Sequence, residues 1–239
     1  SVPLNYSMLE RLTQQRKEQA LESSAVMHFR GDASGINVNA DARIVDFDGE
    51  FVTLGWTHLC PFGSKGYYEL EILRDDNCPQ YGFVSTASVC RFGPSDDGVG
   101  DDDVSWSVDG GRQKRWHKNR PEAYTSKWKT GDVVGLACDL QEMQILVSVN
   151  GSFAPPNGRV FELSPDVVRD GLFAAFTGSQ GKVRYNLGQV PFKHEPPSTD
   201  YCKFVDFKTL VRARGPHDIG EALSVADRAA WETAVTAHV

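Results

Sequence analysis

The chain has no stretch approaching the roughly 20 consecutive apolar residues that cross a bilayer. Its longest apolar runs, such as Val133 to Cys138, have only strand length, so no membrane partner is expected. The N-terminus lacks the charged-then-apolar pattern of a secretory signal, and it lacks an initiator Met, so a processed piece is expected. Cysteine is sparse: Cys60, Cys78, Cys90, Cys138 and Cys202 are odd in number, unevenly spaced and without a C-x-x-C pair. A disulfide framework or a structural zinc site would show more order. The pattern predicts free thiols in a reducing compartment, intracellular and cytoplasmic. Positive charge is also short, with 25 Lys and Arg against 32 Asp and Glu and a net charge of -7. Such a chain repels phosphate backbones, and nucleic acid is not expected as its main partner.

Catalytic patterns are missing as well. None of His28, His58, His117, His194, His217 and His238 stands in H-E-x-x-H, and no G-x-S-x-G elbow occurs. Glu69 and Glu71 project from one strand face, as the carboxylate pair of a sandwich glycoside hydrolase would. Such enzymes use a longer E-x-D-x-x-E-like run, and here the chain continues Ile72-Leu73-Arg74 without the third acid. Solvent-facing glutamates on an edge strand are the ordinary reading. The chain is read as a non-enzyme that needs no cofactor.

What is present is a long β-rich middle between two helical ends. Residues 7–22 carry Glu, Gln, Arg, Lys and Leu with no Gly or Pro, and Met8, Leu9, Leu12 and Leu21 fall on one face, which predicts an amphipathic helix. From about 25 to 195, Gly and Pro recur and short runs alternate. Tyr68, Leu70 and Ile72 share one strand face. Tyr81 to Ser85, Val104-Trp106-Val108, Val134-Leu136-Cys138-Leu140, Ile145-Val147-Val149, Leu172 to Thr177 and Val183 to Leu187 read as further strands, and Asn150-Gly151 is a tight-turn signal. Many short strands without intervening helices predict an all-β fold, a two-sheet antiparallel sandwich. After Glu195-Pro196-Pro197 the pattern stops, with Phe204 and Phe207 as anchors. Ser224-Val225-Ala226-Asp227 fits a capping box that opens a helix to His238. The expected division is 1–24 N-terminal extension, 25–197 sandwich and 198–239 C-terminal extension.

The order of these runs resembles the SPRY domain. Gly66 to Ile72 resembles its early strand, and Tyr81-Gly82-Phe83-Val84-Ser85 its "I-G-F-A" strand. Val99-Gly100-Asp101-Asp102-Asp103-Val104-Ser105-Trp106, followed by Asp109-Gly110, resembles "G-D-D-x-x-S-W-x-x-D-G". Gly131 to Gly135 with Asp139-Leu140 resembles "G-D-V-I-G…D-L". Ile145 to Gly151 resembles "I-x-F-x-L-N-G", and Val183 to Gly188 resembles "V-x-F-N-F-G". The resemblance implies a jelly-roll-like SPRY sandwich flanked by the two helices, which binds a protein or peptide with loops at one end and has no generally required metal.

Within that frame Trp106 is expected to fill the core, and the Asp-Gly and Asn-Gly pairs to make turns. The loop 91–103 holds Asp96, Asp97, Asp101, Asp102 and Asp103. A Ca²⁺ site is one reading, but the spacing is not that of an EF-hand, and aspartates capping turns in a solvated loop are preferred. The resemblance places a partner-binding surface on Arg91, Phe92, Asp96, Asp97, Asp101, Asp102, Ser179 and Gln180, with the region Asp48 to Glu50 beside them. Its acidic rim favours a basic partner. A Ca²⁺-dependent carbohydrate-binding module is the alternative. Arg112 to Arg120, with Trp116 and His117, offers a weaker RNA-binding reading, against which Trp116 is expected to pack on the sandwich.

Overall fold

The computed structural model describes residues 26–30, 35–49, 51–86, 97–124 and 127–208. The helices expected at 7–22 and 224–238 lie outside them.

Among the described residues fifteen strands run in chain order: β1 Met27–Arg30, β2 Ile36–Asn39, β3 Ile44–Phe47, β4 Val52–Cys60, β5 Lys65–Arg74, β6 Gln80–Ser85, β7 Ser105–Asp109, β8 Lys114–His117, β9 Arg120–Ala123, β10 Val133–Asp139, β11 Gln144–Val149, β12 Gly158–Glu162, β13 Leu172–Gly178, β14 Lys182–Asn186 and β15 Cys202–Lys203. A helical turn, α1 Pro165–Val168, and a 3-10 turn, Phe204–Asp206, accompany them among the described residues. The first sheet has the order β1-β4-β13-β6-β7-β8-β9, and the second β12-β11-β10-β5-β14-β3-β2. Pairing is antiparallel except where β15 joins β5 in parallel, Cys202 opposite Gly66 and Lys203 opposite Tyr67.

The core lies between the sheets. The alternation read from the sequence puts Tyr68, Leu70 and Ile72 inward from β5, facing Leu54, Trp56, Phe83 and Phe176 of the first sheet. Trp56 is the hub. It stacks on Phe176 at 5.3 Å and meets Tyr185 at 5.1 Å and Tyr68 at 6.0 Å. Trp106 is buried as expected and stacks on His117, with ring centroids 5.0 Å apart.

The two turn signals work differently. Asn150 and Gly151 both take positive φ, 51° and 78°, as a tight turn requires. After Asp109 the positive φ falls on Gln113 instead. Gly110 is needed because the Trp128 indole lies on its α-carbon, where a Cβ would collide.

The glutamates of β5 correct the sequence reading. β5 is a central strand, bonded to β10 on one side and β14 on the other, so Glu69 and Glu71 are not edge residues. Glu69 is 2% exposed. The segment after Pro191 crosses the outer face of the second sheet, and the backbone N–H groups of Lys193 and His194 each donate to the Glu69 carboxylate at 2.8 Å. Glu71 accepts from Arg184 and from Lys193, both at 2.6 Å. Burial pushes the Glu71 carboxyl up, but these two cations outweigh it and hold the group below its ordinary range. Both carboxylates are thus occupied in fastening a strap, which leaves no pair for acid–base chemistry.

The strap ends at Phe204, which is fully buried against Tyr68 and Phe83, with Phe207 edge-on to it at 5.5 Å. Gly66 leaves the room these rings need. Both anchors expected from the sequence therefore hold the strap down. Beside them, His58 is 2% exposed and its Nδ1 has no hydrogen-bond partner among the described residues. Desolvation lowers its pKa to about 4, against a weaker upward pull from Asp206. A depressed histidine supplies stability above its unfolded value near 6.5, which is lost as pH falls through the folded value. Acidification from pH 7 toward 4 is expected to lower stability by on the order of 2 kcal/mol through this residue. His58→Leu should remove that part of the slope, as read from urea midpoints across the window.

Candidate functional site

One end of the sandwich gathers three connections: Asp48, Gly49 and Phe51 between β3 and β4, 97–104 leading into β7, and 179–181 between β13 and β14. Adjacent strands bring them together. Thr53 of β4 and Thr177 of β13 stand opposite each other and their hydroxyls bond at 2.8 Å. The Thr177 hydroxyl also accepts the Val99 N–H at 2.9 Å, so the acidic loop is tied to the strand that leads into the 179–181 turn. Gly49 N–H donates to Ser179 O at 2.7 Å, joining the first connection to the third.

The aspartates of the acidic loop divide by role. Asp101 accepts from the Gly98 N–H at 2.7 Å and from Gln80 at 3.1 Å. Its burial raises its pKa against those two donors. Asp102 accepts from the Val104 N–H at 3.0 Å and the Ser105 hydroxyl at 2.6 Å. These two carboxylates close the turn on itself, the bland role that short Asp side chains serve in loops. Asp97 is exposed. Among the described residues no group of three or more His, Cys, Asp and Glu side chains is placed to hold a metal ion. Of the expected site residues, Asp97, Asp101, Asp102, Ser179 and Gln180 meet at this end, whereas Arg91, Phe92 and Asp96 lie outside the described residues.

Sequence reasoning missed the residue that organises the turn. Asp76, in the connection from β5 to β6, accepts from the Ser179 N–H at 2.8 Å, the Gly181 N–H at 3.1 Å, the Cys78 N–H at 3.0 Å and the Ser179 hydroxyl at 3.0 Å. Arg74 reinforces it, donating to Gln180 O at 2.9 Å, Phe47 O at 2.9 Å and Asp46 at 2.7 Å. Burial pushes the Asp46 carboxyl up, yet Lys182 and Arg74 together hold it below its ordinary range. Asn77 donates to the Gln180 side chain at 3.0 Å. The only available signal was the run Asp75-Asp76-Asn77 between two strands, an Asx-type turn composition. Asp76→Ala would strip acceptors from two N–H groups of the 179–181 turn. It is expected to cost about 1–3 kcal/mol and to speed amide exchange at Ser179 and Gly181 while Phe176 stays protected.

The result is a preset platform. The backbone is fixed by Thr177, Asp76 and Arg74, and Asp48, Asp97 and Gln180 are presented to solvent. With Lys182 and Arg74 engaged by Asp46, its exposed charge is acidic. Rigid polar turns with outward side chains suit recognition of another macromolecule rather than bond chemistry.

The family model of the SPRY domain matches residues 65–190. The E3 ubiquitin-protein ligase RKP of Arabidopsis thaliana is 34% identical over 139 residues, covering 57% of this chain and 10% of that protein. The chain thus spans about a tenth of that relative's length. The solved structure of the SPRY domain of human HERC1 superposes with a TM-score of 0.49 at 16% identity, covering 63% of this chain and 91% of the other.

Proposed function

The chain belongs to the SPRY domain family, and from that premise we propose that it works as a protein-interaction module within a larger protein, receiving a protein or peptide at the loop end of the sandwich. The observation that carries this reading is the platform itself. Three connections are tied together by hydrogen bonds, 97–104 through Thr177, 179–181 through Asp76, and Gly49 through Ser179, and these polar groups serve to fix backbone turns. Preset turns lose little entropy when a partner docks, which is how such surfaces gain affinity. The acidic exposed charge selects a partner with a basic segment and speeds encounter at low salt. Arg91, Phe92 and Asp96 belong to the same proposed surface. The sandwich body is proposed to run over 25–197, with the extensions bracing it or joining neighbouring domains. Any ligase activity of the kind named in the plant relative would reside in other parts of such a protein.

The test is comparative capture from a native lysate. Asp97→Lys with Gln180→Lys changes two exposed side chains, whereas Asp101 and Asp102 should be left intact because they close the loop. Proteins retained by the unaltered chain and lost from the variant support the proposal. An identical catch from both rejects it. A carbohydrate-binding module would instead require Ca²⁺-dependent glycan binding through Asp101 or Asp102, whose carboxylates are already bonded to the loop.

A further inference from the structure

A second surface carries the opposite charge. β8 and β9 form a hairpin whose tip, Lys118 and Asn119, has φ of 59° and 52°, and it folds over β12, the edge of the other sheet. Between them lies a cleft of about 560 Å³ lined by Arg115, His117, Lys118, Arg120 and Glu122 from the hairpin and Arg159 to Glu162 from β12. Arg115 forms the floor. It reaches across the sheets to the Val160 carbonyl, pairs with Glu122 at 2.9 Å through Nε, and lies 5.6 Å from the centre of the half-buried Phe161 ring. Arg159 pairs with Glu162 at 3.3 Å on an exposed rim, an arrangement worth little in water. Lys118 and Arg120 are exposed. Four cationic side chains against two carboxylates leave an excess of two positive charges in the lining, on a chain of net charge -7.

We propose that this cleft binds an acidic segment of a partner protein, with carboxylates forked by Arg120 and Arg159 and paired by Lys118, the field of Arg115 beneath them, and an apolar side chain on Phe161. On the hairpin wall the recognition rests on side chains rather than on added backbone pairing. The free edge of the hairpin is β9, and Pro121 at its centre has no N–H to offer a docking strand. Discrete acids suit the site better than a phosphate chain. Glu122 and Glu162 line the same cleft, and the Asp-rich loop adjoins the tip through Lys118 N–H to Asp102 O at 2.8 Å, so a continuous polyanion would meet carboxylates along its path. Guanidinium forks matched to individual carboxylates do not incur that repulsion.

The experiment is fluorescence anisotropy of the full chain with a fluorescein-labelled peptide of alternating Glu and Leu. The expected result is saturable binding that weakens as salt is added. It should fall about tenfold or more in Lys118→Glu with Arg120→Glu, and likewise in Arg159→Glu as a second variant, with thermal midpoints unchanged because these side chains are exposed. The loop-end variant Asp97→Lys with Gln180→Lys should bind the peptide like the unaltered chain, which separates this site from the one proposed above. The inference is overturned if the unaltered chain does not bind, if neither cleft variant weakens binding, if the Gln-for-Glu peptide binds equally, or if single-stranded RNA binds more tightly than the peptide.

Discussion

Replacing Trp56 by Ala is expected to cost about 3–5 kcal/mol, the range for deleting a large aromatic from a packed core. Trp56 is fully buried and touches rings from both sheets: Phe176 of its own sheet, and Tyr68 and Tyr185 of the facing one. The cavity would open at the centre of the sandwich, where strands on both sides are held by their own ladders and have little freedom to collapse inward. Because the Trp56 indole nitrogen has no hydrogen-bond partner among the described residues, its contribution is packing. Trp56→Phe should therefore cost much less than Trp56→Ala, since it sheds an unsatisfied donor while keeping much of the apolar surface. Urea unfolding of the three proteins, with equal slopes checked first, measures the difference. Equal losses for the Phe and Ala variants would contradict this assignment, since an aromatic ring at the site would then recover nothing.

The second large effect is expected at Glu69. Glu69→Ala deletes the acceptor of two backbone N–H groups and a buried charge, at a cost of about 3 kcal/mol. Its consequence is directional. The strap over the outer face of the second sheet is fastened at Glu69, at Glu71 and by Lys65, which pairs with Asp200 at 2.8 Å and Asp139 at 3.2 Å. Losing the first fastening should expose residues 191–203 to protease well before the sandwich unfolds. Glu69→Gln keeps one acceptor oxygen and should lie between. If Glu69→Ala leaves both stability and strap proteolysis unchanged, the strap is held by its aromatic anchors alone.

Glu69 also marks the limit of what the sequence discloses. Alternation along Tyr68-Glu69-Leu70-Glu71-Ile72 correctly assigns the inward face, because the side-chain period of a strand is a local property. Whether the outward face meets water depends on a segment 124 residues away in the chain, and no local period reports it. The same asymmetry holds at the loop end. The turn chemistry of Asp101 and Asp102 was legible because the Gly98 N–H and the Ser105 hydroxyl that they bind lie within three residues. Asp76, which bonds across more than a hundred positions to Ser179 and Gly181, was not. Trp106 and the Asn150-Gly151 turn were readable for the local reason, as was the ordered set of motifs that resembles the family. The basic run 112–120 was visible as charge, but its pairing with β12 into a cleft was not, since β12 belongs to the other sheet.

The central claim is that a partner docks on the platform built by Asp48 and Gly49, 97–104 and 179–181. Hydrogen–deuterium exchange on the complex with a captured partner tests it most directly. The account predicts added protection at 97–104 and 179–181, with the strap 191–203 unchanged. Protection confined to the strap or to the outer faces of the sheets, with the loop end exchanging as in the free chain, would contradict it.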